Sequence, residues 1–361
     1  MSNSSRRIAS QLGALRFSLD IPSNEGRLPL SSHLRTIAMG LTLNELPVSD
    51  AIAPGIESAV GRATSNLGLR REGVDVFVYA SPEIQATCLP SSTDRCVLRL
   101  SSELVSLLSQ NELSFVVGHE LAHHVYGHSS AHFKNEEISL EEVISLKYQE
   151  ISADRLGLLA CQSLKDAAGA LIKAASGLTS PFIRLDVSEY LSTLSRFDDM
   201  DLVENDSSIT SHPPLMIRCR ALLWFFGAIG SSLNLANLLP SELDQVNGRI
   251  ERDFSKFVDI HASTHKEKLV ESYRLWLAMS GVASHGSFTK DAQEKFCNAF
   301  GIERLDQVKG FLSSSTPEEA IEYCRGRLSE AVHCLRRDFP ASSASLMKEA
   351  HHEINMLGLV D

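Results

Sequence analysis

Everything else in this chain has to accommodate the run His119-Glu120-Leu121-Ala122-His123. Two histidines four residues apart share one face of a helix, so their imidazoles can reach a single ion. Glu120 starts the turn between them and can point at a water on that ion. Two ligands with a general base between them is the equipment of a zinc hydrolase. The chemistry requires an unbroken helix, and the flanking residues supply one. Ser109 and Glu112 have the spacing of a capping box, Leu113, Val116, Val117 and Leu121 follow at helical intervals, and Gly127 stands where the helix can end.

Zinc in a hydrolase takes three protein ligands and keeps one position open. No third histidine stands at the metzincin spacing, so a carboxylate on the following helix is the other choice. Ser139 and Glu142 repeat the capping-box pattern and predict a helix running to about Ser163. Glu150 lies in its middle among Ile144, Leu146, Ile151 and Leu158, where an acid is costly without a partner. Asp154, one turn further on the same face, is placed to accept from a ligand histidine or from an arginine and so orient the site.

The runs HELAHHVYGH (119–128), YQEISADRLGL (148–158) and SHPPLMIR (211–218) together resemble the HtpX and CAAX-prenyl-protease family of gluzincin metallopeptidases. That family carries HExxH with another histidine five residues after the second ligand. ExxxD follows on the next helix, then a His-Pro segment and an arginine. His119, Glu120, His123, His128, Glu150, Asp154, His212, Pro213 and Arg218 match it in turn, and the likeness spans about residues 50–225. The resemblance implies one zinc ion per chain on His119, His123 and Glu150, with Glu120 as the base of a peptide hydrolysis by metal-activated water. It implies that Asp154 stands behind the ligands and that His212 donates to the oxyanion. Arg218 either pairs with Asp154 or assists that stabilisation. The strand near Cys96–Leu100 is expected to take an extended peptide along its edge. Gln85-Ala86 stands where the family has Asn-Ala. Many members are membrane-embedded, so the prenyl-protease substrate is not carried over.

The fold class expected is α+β and mostly helical: a zincin-type core with a small sheet, followed by an all-α module. Residues 1–48 read as a partly ordered segment with a short helix near 30–43, residues 49–240 as the metallopeptidase domain, and residues 241–361 as the helical module. Within the domain, Ser49-Asp50 caps a helix to about Leu67, Val74–Tyr79 and Cys96–Leu100 alternate as strands, and Ser101 or Ser102 caps a short helix. A small-residue helix is expected over Ala167–Ala175. The apolar stretch Ala221–Leu239 carries Ser231, Ser232, Asn234 and Asn237, which suits a buried helix pair rather than a membrane span. Beyond Pro240, helices are expected near 252–261, 266–280, 289–300, 317–336 and 342–357. Residues 275–302 are similar to TerB-like helical domains, with His285-Gly286 where those have an acidic-Gly loop. This module is a candidate surface for a protein partner.

A net charge of −11 with no basic stripe, and only two Trp, argue against a nucleic-acid partner. The seven Cys are scattered without a CxxC and read as reduced thiols of a cytoplasmic protein; Cys88 and Cys96 alone have hairpin spacing. No apolar run suits a signal peptide. The expectation is a zinc endopeptidase acting on peptides or proteins. Its rival is a latent or non-catalytic zinc-binding regulatory protein on the same fold, which the retention of Glu120 disfavours.

Overall fold

The structure, a computed structural model, describes residues 12–17, 31–89, 95–128, 139–179, 182–183, 186, 189–190, 192–193, 212–235, 238–257, 260–285 and 288–359. Ser211 of the His-Pro run, Asn237 and Gly286 lie outside them. The chain groups into two compact units, residues 1–136 with 145–258, and residues 137–144 with 259–361.

The first unit opens with helix α1 (Ser31–Asn44), strand β1 (Leu46–Pro47) and helix α2 (Pro54–Asn66). α2 starts later than the Ser49-Asp50 cap implies. Ile52 and Ala53 donate back to Ser49 O as a turn, and Ala53, at φ −138°, is the residue before Pro54. The proline ring excludes the helical conformation from its predecessor, so the helix begins at the proline. Strands β2 (Val74–Tyr79), β3 (Ala86–Leu89) and β4 (Cys96–Ser101) follow. The sheet is mixed, in the order β1-β2-β4-β3. β2 and β4 run parallel, from Val74 beside Cys96 to Tyr79 beside Ser101, while β1 and β3 are antiparallel to their neighbours.

β4 is therefore an interior strand. The expectation that Cys96–Leu100 offers a free edge is wrong, because β3 covers it, with Cys88 beside Leu98 and Leu89 beside Val97. β3 is four residues long, too short for an alternating pattern to show. On one face of the sheet Leu41 and Leu89 pack against Phe77 and Val97. Helix α3 (Ser102–Leu107), capped by Ser101 Oγ, leads to the motif helix α4 (Gln110–Tyr126), which touches both β3 and β4.

Helix α5 (Leu140–Cys161) crosses α4 at very short range. A Cβ on Gly118 would stand 2.2 Å from Ala160 Cβ, and one on Gly157 would stand 2.8 Å from the Phe115 ring. Helix α6 (Leu164–Ser176), capped by Ser163, then packs on α4, helix α7 (Leu215–Ile229) on α6, and helix α8 (Pro240–Phe257) on α7. Among the described residues no helix is long and apolar enough to cross a membrane.

The N-terminal segment is also built in. Leu12, Leu15 and Phe17 are buried. Leu12 O accepts from Tyr126 Oη (2.9 Å), Leu15 O from Arg155 Nη1 (2.8 Å), and Phe17 N donates to Ser152 Oγ (3.0 Å).

The second unit carries helices α9 (Ile260–Ser284), α10 (Lys290–Phe300), α11 (Ile302–Ser314), α12 (Pro317–Asp338) and α13 (Ser343–Met356) around a core that includes Leu277, Phe296, Leu335 and Ile354. Thr316 and Glu319 form the capping box that starts α12. Glu141, at the start of α5, accepts from Ala341 N at 2.6 Å within this unit.

Candidate metal centre

The motif helix begins and ends on the residues that local chemistry selects. Ser109 N donates to Glu112 Oε2 at 2.7 Å and Glu112 N to Ser109 Oγ at 3.3 Å, which closes the capping box. Lys173 Nζ holds the same carboxylate at 2.7 Å. At the other end Gly127 is left-handed. Between these ends His119 and His123 lie on one face, and the close crossing at Gly118 and Gly157 brings α5 against it.

Three candidate ligand groups converge. His119 Nε2 is 3.2 Å from His123 Nε2, and the two nitrogens are 3.4 and 3.6 Å from the oxygens of Glu150. Separations of this size put both imidazoles and one carboxylate within reach of a single ion. Glu150 Oε2 is buried and, among the described residues, accepts no hydrogen bond, as a carboxylate oxygen reserved for a metal ion would. Two imidazoles and a carboxylate are a zinc-type donor set. Among the described residues, His119, His123 and Glu150 are the group with ligand atoms close enough to share a metal ion.

Asp154 stands behind the ligands. Its Oδ1 is 3.0 Å from His119 Nδ1, and Arg218 grips both of its oxygens, Nε to Oδ2 at 2.8 Å and Nη2 to Oδ1 at 2.6 Å. Arg218 Nη1 also lies 3.4 Å from Glu150 Oε2. Of the two roles open to Arg218, the structure thus shows pairing with Asp154. His212 is exposed, with Nε2 3.6 Å from Glu150 Oε2. Glu120 Oε2 accepts from the backbone N–H of Cys88 on β3 at 2.9 Å, which ties the candidate base to the edge strand.

The electrostatics describe a pocket short of positive charge. Burial disfavours a charged His119, but the charge of Glu150 and the hydrogen bond to Asp154 outweigh it and carry the imidazole up to about 10. Burial likewise opposes ionisation of Glu150 and Asp154; His119 and Arg218 overcome it and hold both carboxyls below their usual values. Glu120 is raised, chiefly by burial, as suits a group that must take up a proton.

His128, which the sequence offers only as part of the family pattern, has its Nδ1 2.8 Å from Nδ1 of His123. The signal was the glycine before it, which folds the chain back. The Cys88 contact had no sequence signal, because it comes from a backbone N–H. Cys88 and Cys96 sit diagonally across the β3–β4 pair, and all seven cysteines are free thiols.

Residues 52–145 match the family model of peptidase family M48. The match runs from α2 through β2, β3, β4 and α3 to the motif helix with His119, Glu120 and His123. It stops before Glu150, Asp154, His212 and Arg218. No curated protein matches the chain. Neither result supports the TerB-like resemblance of residues 275–302.

Proposed function

We propose that this chain is a zinc-dependent endopeptidase, with His119, His123 and Glu150 as the zinc ligands and Glu120 as the general base. The observation that carries the reading is the convergence of His119 Nε2, His123 Nε2 and the Glu150 carboxylate, whose buried Oε2 has no hydrogen bond among the described residues, with Glu120 next to His119 in the chain. The match of residues 52–145 to a peptidase family supports it. Zinc bound there supplies Lewis acidity, making a water acidic enough to lose a proton near neutral pH and polarising a carbonyl.

The protein's own groups do the rest. Glu120 takes the proton of the attacking water on a carboxylate oxygen and later delivers it to the departing amine, so water is consumed and a carboxylate and an amine result. His212, exposed beside Glu150, donates toward the negative charge that grows on the carbonyl oxygen. Arg218 keeps Asp154 ionised, and Asp154 keeps the Nδ1 proton on His119, so that Nε2 presents its lone pair. The peptide adds as a strand along β3, the edge beside Glu120, rather than along β4. The free thiols suit a reducing compartment such as the cytosol, and the second unit is read as a module for a protein partner.

The test is zinc content and casein cleavage of purified wild type beside Glu120→Gln. About one zinc per chain is expected in both, with cleavage by the wild type alone. Zinc in neither protein, or equal cleavage by the two, would sink the reading.

A further inference from the structure

Gly127 ends α4 at φ 70° and ψ 34°. Its N–H donates to His124 O at 3.3 Å, and the N–H of His128 donates to His123 O at 2.9 Å. These two bonds make the paired closure of a Schellman cap, which folds the residue after the glycine back over the residue five before it. The side chains so brought together are ordinarily apolar. Here both are imidazoles, with their Nδ1 atoms 2.8 Å apart. His128 is 3% exposed. The ring of Tyr126 lies 5.4 Å from it, and Tyr126 is in turn anchored by its hydroxyl to Leu12 O.

The direction of that contact follows from the other side of His123. Its Nε2 faces His119 Nε2 and Glu150. A neutral imidazole that gives the Nε2 lone pair to a metal carries its proton on Nδ1. With a metal on Nε2 of His123, that proton would be donated to Nδ1 of His128, which would accept it as the tautomer with hydrogen on Nε2. The two candidate ligand histidines are thus backed by different groups, His119 by the carboxylate of Asp154 and His123 by an imidazole delivered by the helix cap.

We propose that His128 is a positioning residue for the metal centre, fixing the tautomer and ring orientation of His123 through its Nδ1 and so setting zinc affinity. The proposal rests on the reading of His119, His123 and Glu150 as zinc ligands. It makes a spacing of five residues meaningful, since the left-handed glycine converts that spacing into a contact.

The test is zinc affinity of the full chain, measured by competition with a chelating dye, with metal-free unfolding followed in parallel. His128→Phe keeps a ring in the space but accepts nothing, and a loss of about 10- to 100-fold is expected, the usual effect of removing a group that orients a metal ligand. His128→Asn returns an acceptor, Oδ1, close to where Nδ1 stood, and should recover most of that loss. A second arm leaves both imidazoles in place. Gly127→Asn tolerates the left-handed conformation and should keep the affinity, whereas Gly127→Val does not tolerate it and should weaken binding. If His128→Phe binds zinc as tightly as wild type, or Asn restores no more than Phe does, His128 only fills space and the proposal fails. A wild-type chain that binds no zinc overturns the ligand reading together with this one, which separates the two failures.

Discussion

Asp154 lies one turn beyond Glu150 and is shared between His119 Nδ1 and two nitrogens of Arg218; Asp154 and His119 are buried and Arg218 nearly so. Burying such a pair is not in itself a large gain, but removing one member leaves the other charge uncompensated, at a cost of about 3–5 kcal/mol. Asp154→Asn keeps the shape and removes the charge that Arg218 grips with two nitrogens, leaving it Glu150 at 3.4 Å. We expect that much destabilisation of the metal-free chain in urea unfolding, and zinc binding weaker by about 10- to 100-fold. The pH dependence has a definite sign. Burial alone would raise Asp154, and Arg218 and His119 outweigh it, so the folded value lies below the usual one. A carboxyl held low in the fold contributes its stability above the unfolded value, about 3.9, and loses it as pH falls through the folded value. The stability gap between wild type and Asp154→Asn should therefore be full at pH 5 and above and narrow below about pH 3.9; a gap constant down to acid would contradict the pairing. At this scale the sequence was informative where chemistry is local. His119, Glu120 and His123 follow from one helical repeat, and Glu150 from the cost of an acid among apolar neighbours. The partner of Arg218 stayed open because a sequence does not say which helix faces meet across 64 residues.

The crossing of α4 and α5 converts two local helices into a site, and it depends on glycines as much as on ligands. Gly118 precedes His119, and a methyl group there would meet Ala160 Cβ at 2.2 Å, closer than any real contact permits. The helices must separate or shift, so Gly118→Ala should destabilise by about 1–3 kcal/mol and move His119 away from Glu150. The control is Gly227→Ala on α7, where an added Cβ meets nothing within 4 Å. Replacing a helix-interior glycine there should stabilise by about 0.5–1 kcal/mol. Thermal unfolding with and without zinc separates the two. Equal effects of both substitutions would mean that the crossing is not tight. The capping boxes of α4 and α5 and the stop at Gly127 were legible because each needs only a few neighbouring residues. β3 was not. It earns its place by pairing with β4, a relation its four residues do not display, and the edge beside Glu120 was consequently assigned to the wrong strand.

Across the whole molecule, distant pieces of chain close around α5. Phe17 stacks on Tyr148 at 4.6 Å and Tyr148 on Phe254 at 4.3 Å, which joins the N-terminal segment, the ligand helix and α8 in one column. Arg155 lies within it, donating to Leu15 O and Asn247 Oδ1 and resting on the rings of Phe17 and Phe225. Burial lowers this guanidinium to about 10, so each lost acceptor leaves a charge that is costly to strand. Arg220 of α7 likewise meets Asp253 of α8 at 3.0 Å. The shift in composition at Pro240 therefore marks the start of a helix that belongs with the first unit. Two truncations weigh these contacts. A chain ending at Val258 retains Asn247, Asp253 and Phe254 and should melt cooperatively and bind zinc. A chain ending at Leu239 removes all three, uncovers Tyr148 and leaves Arg155 and Arg220 short of their partners. It should lose its cooperative transition and its capacity to bind zinc together, although His119, His123 and Glu150 are untouched. Indistinguishable unfolding curves for the two chains would show that α8 is dispensable and that the column around Arg155 does not hold the ligand helix in place.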